Sequence, residues 1–115
     1  MTQITVYHNP KCSKCRQTSV LFEENNISPN VIEYLNSPLS NKELTHIVGL
    51  GIPTRDLIRT GEDEWKNTGL DIETALDDEL IKAIIQHPIL LQRPIVIANG
   101  KAVIARPPEK VLEIL

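Results

Sequence analysis

The pattern of apolar and polar positions in the first third of the chain predicts a strand, a helix and a second strand. The first strand is expected over residues 4–7, the helix over residues 13–25 and the second strand over residues 31–34. Asn25 and Asn26 form a stop signal at the end of the helix. Two strands joined by a helix run parallel through a right-handed crossover, so the chain is expected to begin with a β-α-β unit.

The middle of the chain changes to a helical pattern. Ser40, with Glu43 three residues later, forms a capping box that predicts the start of a helix. Thr54 is expected to cap a second, short helix, and Asp77 to cap a third. Together these elements predict a helical insertion over roughly residues 38–90.

The last third predicts a β-hairpin. Apolar segments at residues 94–98 and 101–105 flank Asn99-Gly100, a dipeptide that favours a two-residue type I′ turn. In such a hairpin the residues next to the turn pair first. Ala98 therefore lies opposite Lys101, and each further pair keeps the same sum of residue numbers.

Pro107-Pro108 is expected to open a final helix with Val111, Leu112 and Leu115 facing inward. With the earlier elements this predicts the α/β class and a mixed sheet built as β-α-β, then β-β-α. No internal repeat or interdomain linker divides the sequence, so residues 1–115 are expected to form a single domain.

Composition and charge narrow the possible partners. The formal net charge is -3 with a pI near 5.6, and one Phe, one Trp and two Tyr are all that could stack on bases. This argues against a nucleic-acid-binding surface. The apolar runs are too short to span a membrane, which predicts no membrane partner. Two cysteines and no apolar leader favour a reducing compartment, the cytoplasm.

The candidate chemistry begins at Cys12, at the predicted start of the first helix. Free backbone N–H groups and the helix dipole favour a thiolate at this position, so the thiol is expected to be reactive. Arg16, one turn further along, is expected to lower the thiol pKa. His8 is a weaker candidate for a hydrogen bond to the sulfur, and Asn9 and Pro10 are expected to shape the loop.

The hairpin pairing places two arginines opposite each other. Arg93 and Arg106 have the same sum of residue numbers as the pair beside the turn, so their charges meet at the open end of the hairpin if pairing extends that far. An anion bound between them would offset the repulsion. The alternative is that both side chains extend into water. Pro94 begins this strand, where it removes a ladder donor.

Several segments together carry a family resemblance. They are His8-Asn9-Pro10, Cys12 followed by Arg16, Arg55-Asp56-Leu57-Ile58-Arg59, Gln86-His87-Pro88-Ile89-Leu90, Arg93-Pro94-Ile95-Val96 and Arg106-Pro107. With them the chain resembles the glutaredoxin-coupled arsenate reductases along essentially its whole length. The resemblance implies a thioredoxin-like fold in which Cys12 is the nucleophile, and the oxyanion binders are Arg59, Arg93 and Arg106.

The same resemblance implies the reaction and its partners. The thiolate attacks arsenate, glutathione serves as co-substrate, and glutaredoxin removes the glutathione as arsenite leaves, with no bound cofactor. In thioredoxin-type folds a cis proline at the position of Pro94 faces the reactive cysteine. For Arg59 the residues alone leave an alternative, a surface ion pair with the acidic residues 62–64.

Cys15 departs from the family pattern, because these reductases typically carry a noncysteine such as serine there. Cys15 could resolve an oxidised Cys12 as an internal disulfide, or it could be a small apolar helix residue that is never oxidised. A zinc site is disfavoured. One Cys-x-x-Cys supplies half of a tetrahedral site, and His46 and His87 have no metal spacing to complete it.

Two other classes of protein share some of these features. Spx-type regulators have this fold, a Cys-x-x-Cys switch followed by arginine and an Arg-Pro-Ile segment, and they bind RNA polymerase rather than turn over a substrate. Arg106-Pro107 argues against this alternative, because a regulator does not require an oxyanion cage. A general thiol-disulfide oxidoreductase is the other alternative, and it needs neither Arg59 nor Arg106.

Overall fold

The computed structural model describes residues 3–115 and contains a four-stranded sheet in the order β2-β1-β3-β4. The strands are β1 (Thr5–His8), β2 (Asn30–Glu33), β3 (Ile95–Ala98) and β4 (Lys101–Ile104). β1 and β2 are parallel, whereas β1–β3 and β3–β4 are antiparallel. The predicted α/β class and mixed sheet are therefore confirmed.

The first helix, α1 (Ser13–Glu24), joins β1 to β2 and completes the predicted β-α-β unit. Phe22 from this helix shares one buried cluster with Val6 of β1 and Val96 of β3. Burying a side chain of this size stabilises the fold by about 1.5–3 kcal/mol. This packing fixes α1 on the sheet, and it thereby fixes the position of Cys12 at the start of the helix.

The hairpin has the predicted turn and register. Asn99 and Gly100 have φ angles of 53° and 73°, as a type I′ turn requires. Pairing runs from Ala98↔Lys101 to Ile95↔Ile104. Beyond the last pair the Ala105 N–H donates to the Pro94 carbonyl oxygen at 2.9 Å. The Arg93–Pro94 and Arg106–Pro107 peptide bonds are both cis.

The C-terminal segment differs from the prediction. It is a 3₁₀-helix, Pro108–Glu113, in which Leu112 is 50% exposed; Leu115, beyond it, is 42% exposed. Their predicted inward positions are wrong. A 3₁₀-helix has three residues per turn, so the buried positions recur at every third residue, through Val111 and Ile114.

The chain divides into two compact units: residues up to Ser37 together with Arg93–Leu115, and Pro38–Gln92. The second unit is helical and contains α2 (Asn41–Gly49), α3 (Asp63–Thr68) and α4 (Asp77–Gln86), with 3₁₀-helices at Thr54–Leu57 and Pro88–Leu90. The single domain over residues 1–115 stays a prediction. Within residues 3–115, no helix combines the length and apolarity needed to cross a bilayer.

Of the three helix caps predicted for this unit, one is confirmed and two are wrong. Ser40 and Glu43 form the predicted capping box, with hydrogen bonds of 3.1 and 3.2 Å. Thr54 does not cap, because it is the first buried residue inside its 3₁₀-helix. Asp77 is likewise the first helical residue of α4, and the Glu79 carboxylate accepts the preceding Leu76 N–H at 2.9 Å. Helix α3, with its buried Trp65, was not predicted because six residues are too few to show a helical period.

Candidate active site

Cys12 lies immediately before α1, with an extended backbone of φ -92° and ψ 127°. Asn9 closes the preceding loop. Its carbonyl oxygen accepts the Cys12 N–H at 3.0 Å, and its side-chain oxygen accepts the Lys11 N–H at 3.0 Å. Asn9 therefore shapes the loop, as the sequence predicts. Cys12 is 8% exposed, so its sulfur is largely enclosed.

Arg106 bridges the thiol and the hairpin. Its Nη2 donates to Cys12 Sγ at 3.4 Å, and its Nε donates to the Arg93 carbonyl oxygen at 2.7 Å. The second hydrogen bond ties the side chain to the start of the strand that it pairs with. Arg106 therefore does not extend freely into water, which was the alternative for this side chain.

Arg93 presents a second guanidinium group to the same sulfur. Burial lowers the pKa of Arg93, but interactions of its guanidinium with the Cys12 thiolate and with Tyr34 outweigh burial and hold the pKa above its ordinary value. Nε and Nη1 are buried without a hydrogen-bond partner within residues 3–115. A buried donor without an acceptor costs about 1–3 kcal/mol of free energy. The Arg93 guanidinium therefore favours a ligand that carries several acceptor oxygens.

The same contacts make Cys12 acidic. Burial raises the pKa of its thiol, but hydrogen bonds from the Cys15 backbone, the Arg93 side chain, the Lys14 backbone and the Cys15 side chain outweigh burial. The pKa is lowered from 9.0 to about 7. A substantial fraction of Cys12 is therefore a thiolate at neutral pH.

The thiol of Cys15, unlike that of Cys12, is less acidic than an ordinary cysteine. It is fully buried in α1, and its sulfur accepts the Asn9 N–H at 3.4 Å. Burial raises the pKa of the Cys15 thiol to about 11; the Asn9 N–H and the charge of Arg93 lower it, whereas the charge of Cys12 and a hydrogen bond to that sulfur raise it. Cys15 thus remains protonated beside the Cys12 thiolate, and both cysteines are free.

Tyr34 is a site residue that the sequence did not indicate. It is fully buried directly after β2, and its interaction with the Arg93 guanidinium raises the pKa of Arg93. The available signal was a tyrosine at the end of the strand next to the one that leads to Cys12. Strands that run parallel bring their C-terminal ends to one edge of the sheet, here His8 beside Glu33.

His8 supplies no positive charge to the site. Burial lowers its pKa below the ordinary value, and the charge of Glu33 offsets this only in part. Its Nδ1 is buried and has no hydrogen-bond partner in the described part of the chain. A neutral imidazole near pH 7 follows, so the guanidinium groups carry the charge.

Two other candidates lie around the thiol with different roles. The side chain of Arg16 is exposed; its backbone N–H donates to the Cys12 carbonyl oxygen at 3.1 Å. The groups that lower the Cys12 pKa are the neighbouring N–H groups, Arg93 and Cys15, so the predicted contribution of the Arg16 charge is not observed. Pro94 is buried directly after Arg93, behind the cis bond.

Arg59 belongs to the helical unit. Its Nε pairs with Glu62 Oε1 at 3.2 Å, which is the ion pair that the sequence offered as an alternative to a catalytic role. Its backbone N–H donates to the Leu90 carbonyl oxygen at 2.7 Å. Only Nε is engaged in the ion pair, so the terminal nitrogens are outside it.

Comparison with known proteins gives the family. A model of the ArsC family matches residues 7–114. The chain belongs to the ArsC family. This ArsC protein is 44% identical to the uncharacterized protein YfgD of Escherichia coli, over 98% of this chain and 97% of that one. It is 43% identical to a Neisseria meningitidis protein named arsenate reductase, over the full length of both. The structure of a Vibrio cholerae arsenate reductase matches with a TM-score of 0.93 and 44% identity, over 99% and 98% of the two chains.

A metal centre or a second cleft would be an alternative candidate site within residues 3–115. Within residues 3–115, no three side chains of the metal-binding types lie close enough together to hold an ion. A cleft of about 780 Å³ lies at the opposite end of the sheet from Cys12, lined by residues 26–30, Asn99 and Leu115 among others. It contains no thiol or guanidinium group, so it is not part of the candidate site.

Alkylation of this ArsC protein by iodoacetamide should follow ionisation of Cys12. Because the pKa of Cys12 is about 7, the rate should level off above that pH and fall about tenfold per pH unit below it. Intact-mass measurement across a pH series gives the midpoint. The Cys12→Ser variant is the control, since Cys15, with a pKa of about 11, should stay unmodified. A wild-type midpoint near 9.0 would contradict the assignment of the hydrogen bonds.

Proposed function

We propose that this ArsC protein is an arsenate reductase in which Cys12 is the nucleophile. One observation carries the proposal: the Cys12 sulfur lies 3.4 Å from Arg106 Nη2 and also contacts the Arg93 guanidinium, whose other donors are buried and unpaired within the described residues. The relatives named arsenate reductase in Neisseria meningitidis and Vibrio cholerae support the choice of oxyanion.

The charges at the site suit a tetrahedral dianion. Arsenate carries negative charge near neutral pH, and a thiolate approaches it only where positive charge offsets their repulsion. Arginine stays protonated at any relevant pH, and its planar fork binds two oxyanion oxygens at once. Arg93 and Arg106 therefore bind the substrate, and they do so beside the atom that attacks it.

The first chemical step follows from this arrangement. The Cys12 sulfur forms a bond to arsenic, and one arsenic–oxygen bond breaks, with the departing oxygen leaving as water after protonation. Charge on the oxygens grows as the sulfur approaches, and donors fixed in advance stabilise that charge without reorganising. The hydrogen bond from Arg106 to the Arg93 carbonyl oxygen fixes one such donor.

Arg59 is the third oxyanion-binding residue of this proposal. Support for it comes from the family, together with terminal guanidinium nitrogens that lie outside the Glu62 ion pair. Glu62 orients the side chain through Nε and leaves the fork available for substrate oxygens.

The electrons come from thiols. We assign glutathione as co-substrate and glutaredoxin as the protein partner, with no bound cofactor, because arsenate reduction needs two electrons and a cysteine pair or small thiol supplies them. Two free cysteines, one of them a partial thiolate, suit the reducing cytoplasm as the site of action.

The two alternatives place different demands on the site. A Spx-type regulator needs the cysteine pair and a surface for RNA polymerase, and a general oxidoreductase needs the cysteine pair alone. Neither requires Arg106, whose guanidinium contacts both the thiol and the hairpin. That contact favours the oxyanion reaction.

A coupled assay tests the proposed function. Protein, arsenate, glutathione and glutaredoxin are combined with an NADPH-linked glutathione reductase, and NADPH oxidation is followed at 340 nm, roughly the absorbance maximum of the cofactor. We expect oxidation that depends on arsenate and is matched by arsenite release. Arsenate-independent reduction of a model disulfide would favour the general oxidoreductase. Absence of any turnover together with copurification of RNA polymerase would favour the regulator.

A further inference from the structure

We propose that Cys15 is a second catalytic residue, which attacks the Cys12 sulfur of the arsenic adduct and releases arsenite as the internal Cys12–Cys15 disulfide forms. This inference rests on the proposed function, because it concerns the adduct that arsenate forms with Cys12. It moves the action of glutathione and glutaredoxin from the arsenic adduct to the disulfide that follows it.

Geometry brings the two thiols together before any reaction. Cys15 is one turn along α1 from Cys12, it is fully buried, and its side chain hydrogen-bonds with the Cys12 sulfur. A hydrogen bond from the Asn9 N–H, at 3.4 Å, holds the Cys15 sulfur in place from the β1 side. A nucleophile held one helical turn from its target has a large advantage over one that diffuses from solution, about 10⁵–10⁸ M in effective concentration for well-oriented groups.

Formation of the adduct should activate Cys15. In the resting protein, burial, the charge on Cys12 and the hydrogen bond to Cys12 all raise the pKa of Cys15. When the Cys12 sulfur binds arsenic it loses its charge, so two of these three causes are removed. The Asn9 N–H and the Arg93 charge, both of which favour the Cys15 thiolate, stay in place. Burial still raises the pKa, but the thiol of Cys15 becomes more acidic once Cys12 has lost its charge to the bond with arsenic.

Atoms and electrons balance without a further reductant. Cys12 forms a sulfur–arsenic bond as one arsenic–oxygen bond breaks and water leaves. Cys15 then forms the sulfur–sulfur bond, and its proton goes to an arsenic-bound oxygen. The sulfur–arsenic bond breaks with its electron pair remaining on arsenic. Arsenic goes from the +5 to the +3 state, and the two cysteines are oxidised to one disulfide. Two glutathione molecules, acting through glutaredoxin, then reduce this disulfide.

A single-turnover experiment tests the step. The reduced protein, freed of all small thiols, is mixed with excess arsenate, and arsenite, free thiols and intact mass are measured. Wild-type protein should release one arsenite per chain, lose both thiols and become lighter by the two hydrogens of a disulfide. Cys15→Ser and Cys15→Ala should release no arsenite under these conditions and should retain arsenic bound to Cys12.

The matched control is Ser19→Ala, which removes a hydroxyl from the next turn of α1, where it donates to the Cys15 carbonyl oxygen at 3.3 Å. It should behave as wild type. If wild-type protein releases arsenite only after glutathione is added, and at the same rate as Cys15→Ser, the resolving role of Cys15 is wrong while the reductase remains. If no arsenite forms even with glutathione and glutaredoxin present, the proposed function itself fails. Retention of the fold in both Cys15 variants is checked by circular dichroism.

Discussion

Replacing Cys12 with serine should reduce arsenate turnover to the uncatalysed background. The Cys12 thiol ionises with a pKa of about 7, whereas a serine hydroxyl stays protonated at that pH. A hydroxyl oxygen also cannot replace sulfur in a thiol redox reaction. No smaller effect is expected, because in the proposed reaction every later step acts on the bond that Cys12 forms. Arsenite release in the coupled assay is the measurement.

The Cys12→Ser protein should remain folded, which makes its inactivity informative. Cys12 occupies the position before α1 without a side-chain capping bond, and serine is among the preferred residues there. Its thermal unfolding midpoint should therefore equal or exceed that of wild type. Measurable arsenate-dependent turnover by a folded Cys12→Ser protein would show that another group is the nucleophile.

Replacing Arg106 with glutamine should lower kcat/KM for arsenate by about 10²–10³-fold, the usual effect of removing one fixed donor to an oxyanion. The change removes the Nη2 contact with Cys12 Sγ and the Nε bond to the Arg93 carbonyl oxygen. Arg106→Lys should recover only part of the loss, because an ammonium group retains the charge but not the planar fork. Steady-state kinetics over a range of arsenate concentrations gives the comparison.

Arg55→Gln is the matched control, since it removes the same charge from an exposed side chain in the helical unit. We expect it to reduce kcat/KM by less than about twofold. Equal losses in Arg55→Gln and Arg106→Gln would mean that the effect comes from net charge and not from a donor held against the thiol.

The hairpin, with two arginines near its open end, could be predicted from patterns between near neighbours in the sequence. Asn99-Gly100 fixes both the turn and the register, but the strand pairing ends at Ile95↔Ile104. Arg93 and Arg106 lie beyond the last pair and are joined by the hydrogen bond from Arg106 Nε to the Arg93 carbonyl oxygen. The helix start at Cys12 follows in the same way from a strand and a helix next to each other in the chain. These features depend on contacts between near neighbours in sequence.

Features that depend on distant packing could not be predicted. Tyr34 joins Arg93 only because β2 lies parallel to β1 and ends at the same edge. The burial of Cys15, which decides its protonation state, comes from packing that its neighbours in sequence do not reveal. An α-helical period predicts that Leu112 faces inward, whereas the segment follows the tighter 3₁₀ period and exposes it.

X-ray absorption at the arsenic edge tests most directly the proposal that the Cys12 thiolate attacks an oxyanion bound by Arg93 and Arg106. The Cys15→Ser variant, incubated with arsenate without small thiols and then freed of unbound arsenic, should show an arsenic–sulfur bond that is absent when Cys12 is also replaced by serine. Bound arsenic with oxygen neighbours alone, in a protein whose Cys12 is still a reactive thiol, would contradict nucleophilic attack at this site.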